Sequence, residues 1–79
     1  SPKNFNNHLL KNVGISIRAR RNVLGLSQEA LAESASFDRT YISLLERGLR
    51  NPSLTNIYKL CSALGCSMSD LFKEVDSLM

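Results

Sequence analysis

Histidine, cysteine and long apolar runs are all scarce in this chain of 79 residues. The single histidine, His8, has no partner with which to build a metal site or a His-based triad. The two cysteines, Cys61 and Cys66, are five apart in an apolar pattern. That is neither a CxxC redox pair nor half of a zinc site, and a helix turns such positions to different faces. The spacing predicts two buried free thiols. No apolar run is long enough to span a membrane. No charged-then-apolar leader opens the chain, which predicts a cytoplasmic protein. No paired acid, base or nucleophile stands out, so neither an enzyme, a cofactor, a metal nor a small-molecule ligand is expected. Linkers, repeats and low-complexity segments are absent too. One domain is expected over residues 1–79, with a core from 9 to 73 and a C-terminal extension over 74–79.

What is present is charge, unevenly spread. Lys and Arg number 10 against 7 Asp and Glu. Residues 1–50 hold eight bases against four acids (+4), and residues 51–79 hold two against three (−1). A basic N-terminal two-thirds suits an anionic partner touching one part of the surface. The apolar fraction, 43%, suits a globular protein. A domain this small buries only roughly 60% of its unfolded surface and often leans on a partner.

Helical punctuation recurs, and no stretch alternates with period 2 for long. A first helix is predicted from about Leu9 to Leu24, with Val13 and Ile17 repeating at four and Gly25 ending it. Ser27 caps a second through Ala35, with Leu31 and Ala32 inward. After a three- or four-residue turn, Asp38 caps a third from Arg39 to about Arg47, ended by Gly48, with Ile42 and Leu45 on its core side. Pro52 and Ser53 introduce a fourth, whose apolar stripe is Leu54, Ile57, Leu60, Cys61 and Leu64, closed by Gly65. Ser67 and Asp70 form a capping box for a short fifth helix carrying Leu71 and Phe72. The pattern predicts an all-α, compact five-helix bundle.

If Ile42 and Leu45 face the core, Arg39, Thr40 and Ser43 point outward. A helix N-terminus with its free N–H groups suits an approach to phosphate. An Arg there offers a fork for guanine O6 and N7, and a Thr can bond a base edge or touch a thymine methyl. Two helices joined by a short turn are the arrangement that lays such a reader in the DNA major groove.

At these residues the chain resembles the Cro/cI/Xre helix-turn-helix family of phage and bacterial regulators, whose fold is that of the lambda-repressor-like DNA-binding domains. The carriers are Gly14-x-x-Ile17-Arg18-x-x-Arg21-x-x-x-Gly25-Leu26-Ser27-Gln28-Glu29-x-Leu31-Ala32, then Tyr41-Ile42-Ser43-x-Leu45-Glu46-Arg47-Gly48, then Asn51-Pro52-Ser53-Leu54, and the stop Leu60-Cys61-Ser62-Ala63-Leu64-Gly65. The segments "DRTYIS" and "ERGLRNPSL" are most similar to the small controller proteins of restriction–modification systems, dimers that regulate their own operon. The resemblance implies base reading by Arg39, Thr40, Ser43 and Leu44, with Tyr41 at the DNA. It implies phosphate contacts from Ser27, Gln28, Arg50, Asn51 and Ser53, and a structural salt bridge between Arg21 and Glu46. Ser36 departs from the family, since Gly or Asn usually holds that turn position. A left-handed conformation there costs on the order of 1 kcal/mol.

Blander readings stand beside these. Arg39 also suits a solvated charge next to Asp38, and the Tyr41 ring suits packing on the domain with its hydroxyl outward. Arg18 and Arg20 are read as solvated. The tail residues Cys66, Met68, Phe72, Val75 and Leu78 supply more apolar area than a short helix needs, which suggests a two-fold interface. The expected partners are therefore double-stranded DNA and a second copy of the chain, placing two reading helices about one DNA turn apart, ~34 Å. The alternatives are a protein-interaction module such as an antitoxin or bridging factor, and the DNA-binding head of a longer repressor.

Overall fold

A computed structural model describes residues 2–79, with side chains from residue 7 on. Five helices follow in order: α1 (Pro2–Val23), α2 (Gln28–Ala35), α3 (Arg39–Glu46), α4 (Leu54–Leu64) and α5 (Met68–Leu78). α1 begins seven residues before the expected Leu9. Proline fits the first helical position, where its missing N–H is no loss, and nothing between Pro2 and Leu9 breaks a helix. Ser27 and Ser53 cap as expected, their hydroxyls accepting from the Ala30 and Asn56 amides at 3.0 and 3.1 Å. Both halves of the Ser67/Asp70 capping box are formed. Asp38 differs: it has the extended backbone of a cap, but its side chain makes no capping hydrogen bond.

The core gathers Val13 and Ile17 of α1, Leu31, Ala32 and Ala35 of α2, Ile42 and Leu45 of α3, Ile57, Leu60, Cys61 and Leu64 of α4, and Leu71 and Val75 of α5. Two expectations change here. Leu54 belongs to the α4 stripe by spacing, yet it is 68% exposed, because it opens the helix one turn beyond the edge of the core. Val75 belongs to the expected dimer surface, yet it is 2% exposed and packs inside this single copy. α5 runs on through Leu78, so the core reaches past residue 73.

Polar contacts fasten α1 to α5. Arg20, expected to be solvated, pairs with Glu74. Its guanidinium pKa is raised by that hydrogen bond, against desolvation. The buried Asn12 amide donates to the Leu78 carbonyl at 3.3 Å, satisfying one of the carbonyls a helix end leaves free. α1 also lies hard against α3. A Cβ at Gly14 would stand 2.4 Å from the Leu45 carbonyl oxygen, so only glycine permits this approach.

The cysteines are not on separate helical faces. The chain reverses at Gly65, and the Cys66 amide donates back to the Cys61 carbonyl at 3.0 Å. Both thiols are free, Cys61 buried and Cys66 only half-buried. Burial, followed by the neighbouring Cys66, pushes the Cys61 thiol up to about 12.

Candidate nucleic-acid interface

α2 and α3 meet through the three residues Ser36, Phe37 and Asp38. Ser36 adopts φ 61°, ψ 46°, the left-handed conformation its position predicts, and is the only non-glycine residue at positive φ among the described residues. Its amide and that of Phe37 close the end of α2 on the Glu33 and Ala32 carbonyls, at 3.2 and 2.8 Å. The two apolar faces then share one core, and α3 leaves the turn with its first residues in solvent.

Beneath this corner lies a buried pair. Arg21 of α1 donates to Glu46 of α3 through Nε at 2.6 Å and Nη2 at 2.9 Å. Its Nη1 donates to the Leu26 carbonyl at 2.8 Å, and Gln28 Nε2 adds a bond to Glu46 Oε1 at 3.1 Å. Every guanidinium nitrogen is therefore used. The hydrogen bonds that Arg21 donates to Glu46 raise its pKa, with burial opposing them. A buried charge pair is tolerable only when satisfied in this way. Here it joins α1, the α1–α2 loop, α2 and α3, and so fixes the angle at which α3 is presented. Gln28, expected at phosphate, thus has its amide nitrogen turned partly inward.

On the outer side, Arg39 and Thr40 are exposed in the first turn of α3, while Ser43 and Leu44 are half-buried one turn on. The Arg39 guanidinium is paired: its Nε lies 2.5 Å from Glu29 Oε1, with both side chains largely exposed. Thr40, Tyr41, Leu44, Ser36, Asp38 and Arg50 line an open groove of about 640 Å³. Tyr41 packs against the domain. Its ring lies 4.9 Å from that of Phe37, its hydroxyl accepts a bond from Asn56 at 3.0 Å, and the Arg50 guanidinium stacks 5.0 Å above it. The hydroxyl keeps its own proton free to donate. Arg50, Asn51 and Ser53 follow on the exposed α3–α4 connection. Ser27 lies apart from the groove, at the start of α2.

Of the tail residues, Cys66, Met68 and Phe72 are half-buried against the core and Leu78 is 44% exposed. None of them lines the groove beside α3. Sequence reasoning missed three residues at the interface. Phe37 and Asn56, which support Tyr41, come from separate elements and carry no motif. Glu29 lay inside the family pattern, but its pairing depends on how α2 meets α3.

This is the geometry of a helix-turn-helix module, with α2 as its supporting helix and α3 as the exposed second. The chain belongs to the helix-turn-helix family, whose pattern matches residues 17–71. Its relatives include controller proteins of restriction–modification systems. The control protein C.MunI of a Mycoplasma species is 41% identical over 59 residues, covering 75% of this chain and 80% of that protein. The crystal structure of the controller protein C.AhdI from Aeromonas hydrophila superposes with a TM-score of 0.78 at 46% identity, over 80% of this chain and 96% of that one. The controller C.Esp1396I, as a tetramer in complex with its natural 35-base-pair operator, gives a TM-score of 0.82 at 33% identity, over 89% of this chain and 92% of that one.

Proposed function

We propose that this chain is a single-domain, sequence-specific DNA-binding transcriptional regulator. It acts as a homodimer on a near-palindromic operator and regulates its own restriction–modification or phage-type operon. The observation that carries the reading is the exposed start of α3, where Arg39 and Thr40 stand together beside a helix N-terminus whose cap side chain makes no bond. C.Esp1396I, similar over most of this chain, is known in complex with an operator.

In this reading Arg39 and Thr40 lead base recognition, Ser43 and Leu44 touch bases one turn further along, and Tyr41 offers its free O–H at the groove edge. Ser27, Gln28, Arg50, Asn51 and Ser53 hold phosphates. Both serines spend only a lone pair on their caps, so each keeps an O–H to donate. These contacts position the protein without reading sequence, and their share of the affinity falls with salt. Cys66, Met68, Phe72 and Leu78 contribute the dimer contact, without Val75. A regulator of this class works in the cytoplasm, on the nucleoid.

Selection from a random duplex pool near physiological salt tests the proposal. Enrichment of a near-palindrome with half-sites about one turn apart, ~34 Å, supports a dimeric operator-binding regulator. No enrichment by the folded protein sinks it and turns attention to a protein partner.

A further inference from the structure

We propose that Glu29 is a positioning residue that sets the specificity of Arg39; this rests on the DNA-binding reading above. The pair crosses from the first turn of α2 to the first turn of α3, with Arg39 Nε 2.5 Å from Glu29 Oε1. The side chains are 61% and 67% exposed. An ion pair this open contributes little to folding, so its weight falls on what the guanidinium does next.

Arginine can present its fork to guanine in two ways, through Nη1 and Nη2 end-on, or through Nε and one Nη side-on. Glu29 occupies Nε. The end-on pair is left free to span O6 and N7, and the long Arg39 side chain is held where it would otherwise sample many rotamers. Preorganisation of this kind favours the base that accepts twice over bases that do not. The carboxylate has a second effect. It adds a negative charge beside a surface meant for DNA, so a duplex held only by phosphate contacts is disfavoured. A duplex whose guanine engages Arg39 regains that loss. Glu29 thus trades general affinity for discrimination, through a repulsive element placed next to an attractive one.

Glu33, one turn along α2, provides the control. It is exposed, carries the same charge, and makes no ion pair among the described residues. Glu29→Gln and Glu33→Gln are compared with the unaltered chain on two probes, a duplex of the enriched sequence and a random-sequence duplex of equal length. Both substitutions raise affinity for the random duplex by a few-fold. Only Glu29→Gln lowers the ratio of enriched to random affinity, by about tenfold. In an Arg39→Ala background, Glu29→Gln leaves that ratio unchanged. The inference is overturned if Glu29→Gln preserves the ratio, or if the ratio falls as far without Arg39. If the unaltered chain enriches no sequence, the DNA-binding reading falls and this inference with it. If it does enrich one and Glu29→Gln is neutral, this inference falls alone.

Discussion

Two arginine–glutamate pairs meet α3 from different sides, with nearly equal contact distances, 2.6 Å for Arg21–Glu46 and 2.5 Å for Arg39–Glu29. Their surroundings are opposite. The Arg21 and Glu46 side chains are 10% and 3% exposed, and the remaining guanidinium donor ends on a carbonyl. Arg39 and Glu29 have water on most sides. Burial makes the first pair obligatory, because either charge left alone inside the protein would be severely penalised. Exposure leaves the second worth little to folding and keeps its guanidinium open to a ligand. The same chemistry therefore serves as a joint in one place and as a poised contact in the other.

Removing the joint has the largest expected effect. Arg21→Ala leaves Glu46 buried without its cation and should cost about 3–5 kcal/mol. That is a large part of the stability of a domain of this size. Chemical denaturation would show the midpoint falling steeply, or the chain already unfolded at room temperature. A loss within about 1 kcal/mol would mean that the pair is not the joint described here.

Arg39→Ala is the contrasting change. Its effect on folding should stay within about 0.5 kcal/mol, while operator affinity falls by ~1–3 kcal/mol and preference relaxes at one base pair. Parallel melting and binding measurements on both arginine variants would sharpen the division. A large folding loss in Arg39→Ala, with site preference intact, would erase it.

The buried joint was more legible in the sequence than the exposed contact. Helix boundaries were marked by Ser27, Ser53, Ser67 and the glycines that end helices, because capping chemistry is local and needs few residue types. The Arg21–Glu46 pairing followed from the family pattern. Three features were not legible, each because it depends on the angle between helices. Gly14 opens the family pattern, but the reason for a glycine there appears only when α3 is seen pressing on it. Val75 reads as surplus apolar surface until α5 is seen lying along α1 and the core. The pairing of Glu29 with Arg39, ten residues away, exists only because the Ser36 turn brings two helix starts together.

That turn offers the smallest and most discriminating change. The ends of α1, α2, α3 and α4 close with the same backward hydrogen bonds, on Gly25, Ser36, Gly48 and Gly65. The glycines sit at φ 71°, 74° and 71°, and Ser36 at 61°, so the geometry is shared and only Ser36 carries a Cβ into it. Ser36→Gly removes that penalty but loosens the unfolded chain, which offsets part of the gain. The net should be a stabilisation of about 0.5 kcal/mol, or roughly 2–4 °C in melting temperature for a domain this small. Ser36 also lines the groove beside Asp38 and Thr40. If the serine only tolerates its conformation, the variant melts higher and binds its operator unchanged, since the buried pair still sets the angle of α3. If it melts higher but loses discrimination, the turn itself holds Arg39 against Glu29. The exposed pair would then depend on a strained residue as firmly as the buried pair depends on its hydrogen bonds.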